Sequence, residues 1–152
     1  MSILSIVNEP DPVLHMKASE VTSFDDDLRV LVSDMIETME SAQGCGLAGP
    51  QVNILKRIFV VHYKDRQFPL INPKILSKEG SVLGDEGCLS LPGLYLQVHR
   101  AESLRLKYQT VEGAWVESIE EGFMARIIQH EFDHLEGVLI TDLSELPAEI
   151  DS

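Results

Sequence analysis

Gln43-Gly44-Cys45-Gly46-Leu47-Ala48-Gly49-Pro50-Gln51 (QGCGLAGPQ) is the stretch on which the fold class turns. Residues 44–49 fit the G-x-G-x-x-G pattern of a dinucleotide-binding loop, and Asp65 lies about twenty residues on, where a ribose-binding carboxylate is sought. Such a loop leaves a strand and opens a helix, so that the pyrophosphate meets the helix N-terminus. Here the flanks run the other way. Upstream, 25–42 carries Leu28, Leu31, Val32, Met35, Ile36 and Met39, an i, i+3, i+4 series that describes one helix face, with Ser23 or Asp25 as its cap. Downstream, 57–63 (RIFVVHY) reads as a buried strand, with Pro50 in between. The match to the fingerprint is accidental, and these glycines serve other chemistry.

Outward from that stretch, 68–71 reads as a second strand, stopped by a turn at Asn72-Pro73. Further strands are expected near 74–77, 95–98, 103–109 and 114–120. Several are short and alternating, which favours antiparallel pairing. A second helix is expected over 121–135, ending at Gly137 as a C-cap residue. Strands clustered between two helices predict an α+β fold rather than a repeating βαβ wind. No internal repeat or low-complexity linker appears, and 152 residues suit a single domain, 1–152.

Twelve basic against 25 acidic residues leave a formal charge of −13, a field that repels phosphate backbones and argues against nucleic acid as a direct ligand. The start, MSILSIVNEPDP, has no basic leader, and no segment approaches the length of a membrane span. Cys45 and Cys88 make no disulfide framework and read as buried thiols or metal ligands. A cytoplasmic setting is expected.

The chemistry is carried by His130-Glu131-Phe132-Asp133-His134. Residues i and i+4 share a helix face, so both imidazoles can grip one metal ion, while Glu131, one step round, can reach a bound water. The pattern H-E-x-x-H-x-x-G-x-x-H of a protease family is followed until its last position, where Ile140 cannot bind a metal. Glu145 and Glu149 lie in a short tail with Pro147, a poor site for a rigid ligand. His15, His62 and His99 show no paired spacing and read as surface or loop residues. Cys88, within Glu86-Gly87-Cys88-Leu89-Ser90, is a strong ligand as a thiolate, yet taken alone it reads equally well as a small core residue.

GCGLAGPQ, EGCLS and QHEFDHLEG, in this order and spacing, resemble the three signature motifs of the peptide deformylases. EPDPVL, DMIETM and LINPKI extend the resemblance over about 7–144. It implies antiparallel sheets packed around a central metal-binding helix, with a further N-terminal helix. It implies hydrolysis of the N-formyl group from the formylmethionine of nascent chains, hence N-formylmethionyl peptides as substrates. Cys88, His130 and His134 would be the ligands, usually of Fe(II), with zinc, nickel or cobalt as substitutes and water in the fourth position. Glu131 would be general base and then general acid. Gln51 and the backbone N–H of Leu89 would form an oxyanion hole. Gly44, Cys45, Gly46, Glu86 and Gly87 would wall the substrate site, the loop glycines letting substrate backbone lie close. Phe123 and Ile127, on the His130 face of the helix, would line a methionine pocket or simply pack in the core. Arg100 would pair with Glu86.

Three departures from the family pattern stand out. Gly49 replaces a usual alanine and should loosen the loop. His99 replaces a common proline, with no evident chemical consequence. The tail SELPAEIDS is short and acidic where many bacterial members carry a basic C-terminal helix for ribosome docking, a truncation shared with short members that include phage-borne ones.

Two other readings compete. One is a metallopeptidase that cuts internal bonds. The other is a closed Cys₂His₂ structural zinc site made with Cys45. An open catalytic site keeps its fourth position for water, and a second thiolate there would shut that water out. Cys88→Ala is therefore expected to lose tight metal binding and activity, whereas Cys45→Val retains both. Metal analysis of the two purified variants checks this, and equal metal loss from both would mark the closed site.

Overall fold

The computed structural model describes residues 2–143. The acidic tail beyond Leu143, with Glu145 and Glu149, lies outside the described residues.

A short 3₁₀ turn, Pro12–His15, precedes helix α1, Asp26–Ser41. The cap of α1 is Asp25, whose side chain accepts from the Leu28 N–H at 3.1 Å. Strand β1, Gly46–Ala48, follows inside the glycine stretch, and Gly49–Val52 forms a 3₁₀ turn. Then come β2 Ile58–Tyr63, β3 Arg66–Glu79, β4 Val82–Cys88, β5 Leu91–Arg100, β6 Ser103–Gln109 and β7 Trp115–Glu121. Helix α2, Gly122–Leu135, and a short α3, Ile140–Leu143, close the described chain. Every pairing between these strands is antiparallel, in a five-stranded sheet of order β1-β2-β3-β6-β7 and a separate two-stranded sheet, β4-β5. The expected α+β class, with antiparallel sheets, is what the chain adopts.

The apolar run of β2 has a simple cause. Alternate residues of a strand face opposite sides of its sheet, and this strand is covered on both. Phe59 and Val61 join Leu70, Leu104 and Leu106 against Met124, Ala125, Ile127 and Ile128 of α2. Ile58 and Val60 face the other way, onto Leu28, Val32, Met35 and Met39 of α1. Each such side chain contributes about 1.5–3 kcal/mol when fully buried. Helix α2 is enclosed nearly all round, with Met124 through Glu131 buried in an unbroken run. It leaves β7 without a loop, through Gly122 at φ 64°, and ends before Gly137 at φ 77°.

Asn72-Pro73 is not a stop. Strand β3 runs through it for 14 residues, bulging between Ile71 and Lys74 where its pairing passes from β2 to β6. Asn72 adopts φ 51°, a left-handed conformation that asparagine tolerates better than most residues. Its buried side chain is fully used. Nδ2 donates to Val21 O at 2.9 Å and Gln109 Oε1 at 2.7 Å, and Oδ1 accepts from Val21 N at 2.9 Å. The turn residue of the sequence reading is thus a bulge that pins the incoming chain to the sheet.

Gly49 sits in close contact with the backbone that follows its loop. A Cβ there would lie 2.5 Å from Ile54 O and 2.9 Å from Lys56 O, and the Ile54 N–H donates to Gly49 O at 2.9 Å. His62 and His99 lie on strands β2 and β5, and His15 ends the first 3₁₀ turn; His15 and His99 are exposed and His62 is half-buried.

Asn72→Ala strands both backbone groups of Val21 and places a Cβ-bearing residue without polar compensation at positive φ. A loss of about 2–4 kcal/mol is expected from these costs, readable as a lower urea midpoint with an unchanged m-value.

Candidate active site

The two histidines project from α2, and Cys88 comes from the end of β4 in the other sheet. One ligand atom from each of Cys88, His130 and His134 falls within 4.8 Å of the others. Cys88 Sγ lies 3.3 Å from His134 Nε2. An ion about 2.3 Å from sulfur and about 2.0 Å from nitrogen in tetrahedral geometry would hold such atoms about 3.5 Å apart. The donor set, one thiol and two imidazoles, fits a transition metal by spacing and by chemistry. Cys45 stands apart from this group, exposed on the loop before β1, so the described residues assemble three such donors rather than a Cys₂His₂ set.

His130 is oriented by Glu86, whose Oε1 lies 2.9 Å from its Nδ1. A carboxylate on Nδ1 makes that atom the N–H and leaves Nε2 for a ligand. Arg100 grips the same carboxylate twice, Nε to Oε2 and an amino nitrogen to Oε1, both at 2.8 Å. Its other amino nitrogen reaches Asp133 Oδ2 at 2.5 Å. Burial alone would raise the Glu86 carboxyl, but Arg100 and His130 outweigh it and hold the group down at about 2.

Glu131 is buried at 4% exposure, and burial pushes its carboxyl up to about 7. Its Oε1 and the Nδ1 of His134 are buried without a hydrogen-bond partner, the kind of atom a bound ion, water or substrate satisfies. Burial works against the charged form of His130, yet Glu131, Cys88 and Glu86 together raise that imidazole to about 10. His134 is pushed well below its ordinary value by burial and by His130.

The glycine loop meets this centre directly. A Cβ at Gly46 would fall 2.5 Å from Glu131 Oε2, so glycine is needed there for the carboxylate. Gly46 thus makes room for the Glu131 side chain, a contact the reading of the loop glycines did not include. Gln51 Oε1 accepts the Ala48 N–H at 2.9 Å. That bond can be accepted only by the oxygen, so it turns Nε2 toward Cys88 Sγ at 3.6 Å and Ser90 Oγ at 3.3 Å.

A cavity of about 380 Å³ opens over these groups. Gly44, Cys45, Gly46, Gln51, Glu86, Gly87, Cys88, Leu89, Phe123, Ile127, His130 and Glu131 all line it, whereas Arg100 and His134 do not. Phe123 is exposed and meets the Tyr63 ring tilted, with centroids 5.0 Å apart, while Ile127 is buried. Ile140, in the place of the last protease histidine, packs with Leu96, Val98 and Cys88 as a core residue.

Two participants escape the sequence reading. Asp133 braces Arg100, and Arg126 donates to Glu86 Oε2 at 2.7 Å. The available signal for Arg126 was an arginine one turn before His130 within an otherwise apolar run.

Because the folded Glu86 carboxyl is depressed below its unfolded value of about 4.3, its stabilising contribution is complete above about pH 4.3. It is lost as pH falls through about 2. Glu86→Gln is expected to lower stability at neutral pH and to flatten the decline across that window, measured by urea unfolding of metal-free protein at stepped pH.

Comparison with known proteins agrees with this geometry. The family model for polypeptide deformylase matches residues 3–147. The peptide deformylase of Dictyoglomus turgidum is 46% identical over 140 residues, covering 92% of each chain. Peptide deformylase 1 of Clostridium perfringens is 49% identical over 146 residues, covering 93% of this chain and 98% of its own. The crystal structure of peptide deformylase from Thermotoga maritima matches with a TM-score of 0.93 at 42% identity, covering 94% of this chain and 98% of that one. A peptide deformylase from Synechococcus elongatus, solved in complex with actinonin, matches at 0.94 and 41%, covering 97% and 82%. By motif, fold and these similarities, the chain belongs to the polypeptide deformylase family, metal-dependent hydrolases that remove the formyl group from the N-terminal formylmethionine of new polypeptides.

Proposed function

We propose that Cys88, His130 and His134 hold the metal, Fe(II) in the native protein, and that 1–152 works as one catalytic domain on N-formylmethionyl peptides and nascent chains. The observation that carries this reading is the convergence of three donors from two separate sheet-and-helix units beside a buried glutamate. A metal bound there supplies Lewis acidity and a reactive water at neutral pH.

The chain's own residues do the rest. Glu131 accepts a proton from the attacking water, and a carboxyl near 7 suits an acid–base group working near neutrality. As the water oxygen adds to the formyl carbon, the carbonyl oxygen gains negative charge. Gln51 Nε2, already aimed by Ala48, and the backbone N–H of Leu89 donate to that oxygen. The C–N bond then breaks, Glu131 passes its proton to the amine nitrogen, and formate leaves. Phe123 and Ile127 receive the methionine side chain, and Gly44, Cys45, Gly46 and Gly87 flank its backbone. The protein works in the cytoplasm of a bacterial-type cell, near the ribosome that supplies its nascent chains.

The direct test is formate release from a formyl-Met peptide under anaerobic conditions, with metal analysis of the same sample and a blocked, unformylated peptide as the endopeptidase control. Glu131→Gln should keep its metal and lose at least about 10²-fold in kcat. Gln51→Ala should lower kcat by about 10²–10³-fold with little change in KM. Metal loss in the first variant, or a change confined to KM in the second, would remove the assigned role.

A further inference from the structure

The thiol and the imidazoles belong to units that share no strand pairing. Cys88 ends β4, in the two-stranded sheet with β5, and the histidines ride on α2. Their convergence depends on whatever fixes the hairpin against the helix. One side chain of α2 touches both strands of the hairpin and the carboxylate between them. Arg126 donates to Val82 O on β4 at 2.7 Å, to Val98 O on β5 at 3.0 Å and to Glu86 Oε2 at 2.7 Å.

The hairpin has a matching gap. A Cβ at Gly84 would fall 2.9 Å from the guanidinium carbon of Arg126 and 3.0 Å from one of its amino nitrogens. Gly84 pairs with Val98 and lies two residues from both Val82 and Glu86, in the middle of the three acceptors. The guanidinium therefore lies flat on the strand where a side chain would otherwise stand. Three acceptors in a fixed fork suit arginine and not lysine, whose ammonium is a single point donor.

We propose that Arg126, seated in the Gly84 gap, is a positioning residue for the metal centre: it clamps the β4–β5 hairpin to α2 and so sets Cys88 against the two histidines. The proposal rests on the reading of Cys88, His130 and His134 as the ligands. Arg126 acts through Glu86, which orients His130, and through the strand that ends in Cys88. It also lines the cavity, so the competing role is a floor for substrate alone.

The test uses full-length protein loaded with Co(II), whose thiolate charge-transfer and d–d bands report the ligand geometry. Wild-type protein must show the thiolate band and lose it in Cys88→Ala; otherwise the ligand reading fails and the clamp with it. With that secured, Arg126→Lys should release Co(II) to EDTA faster by about 10–100-fold and shift the d–d bands, as loss of a group supporting a ligand does. Gly84→Ala should do the same in direction while keeping every hydrogen-bonding group, because the methyl displaces the guanidinium. The double variant should be no worse than the worse single, since both act on one contact. Arg66→Lys is the stability control: it weakens the Arg66–Glu120 pair elsewhere in the fold and should leave release rate and bands unchanged. Wild-type release and bands in both Arg126→Lys and Gly84→Ala, or an effect confined to KM, overturns the proposal. If Arg126→Lys does not fold, Gly84→Ala decides alone.

Discussion

Everything at this centre depends on one buried carboxylate. Glu86 receives two N–H groups from Arg100, one from Arg126 and one from His130. Removing a carboxylate from water costs several kcal/mol, and a pair of opposite charges offsets that only when the remaining lone pairs are also satisfied. Here they are, by donors from β5 and from α2. The ion cluster thus ties two elements that backbone pairing leaves separate.

The helix that carries His130 and His134 is held as tightly by other means. Its apolar side rests on Phe59 and Val61 of β2 and Leu70 of β3, and β2 turns Ile58 and Val60 toward α1. The five-stranded sheet is covered on both faces near the site, so the histidines project from a support that has little freedom to shift. At the β1 edge of that sheet, Gly46 yields its side-chain volume to Glu131. A carboxylate squeezed between a sheet edge and a helix loses water on most sides, which is why burial leads the rise in its pKa. Packing that stabilises the domain and the environment that raises the Glu131 carboxyl are one arrangement.

Local order was legible in the chain. The 3.6-residue period over 25–42 and the i, i+4 histidines near the end of a second periodic run located both long helices to within one residue, because amphipathic spacing reports a helix wherever the core lies. Strand β6 was bounded as expected, and β2 to within one residue. The expectation at Asn72-Pro73 failed for a local reason. Turn residues signal left-handed or proline-compatible backbone, and a bulge needs the same backbone as a turn. Strand β4 was missed because Gly84, Asp85, Glu86 and Gly87 carry no strand propensity, yet all four pair with β5.

The sequence by itself determined the donor types, the helix that presents two of them and the family whose motifs it carries. These follow from spacing and residue chemistry along one element. Only the tertiary structure decided which groups meet across elements: that Arg126 and Asp133 join the Glu86 cluster, that Ile140 packs beside Cys88, and that Gly46 makes room for Glu131. Those contacts join residues far apart in sequence. Periodicity within one element carries no information about the distance or angle at which a second element will pack against it.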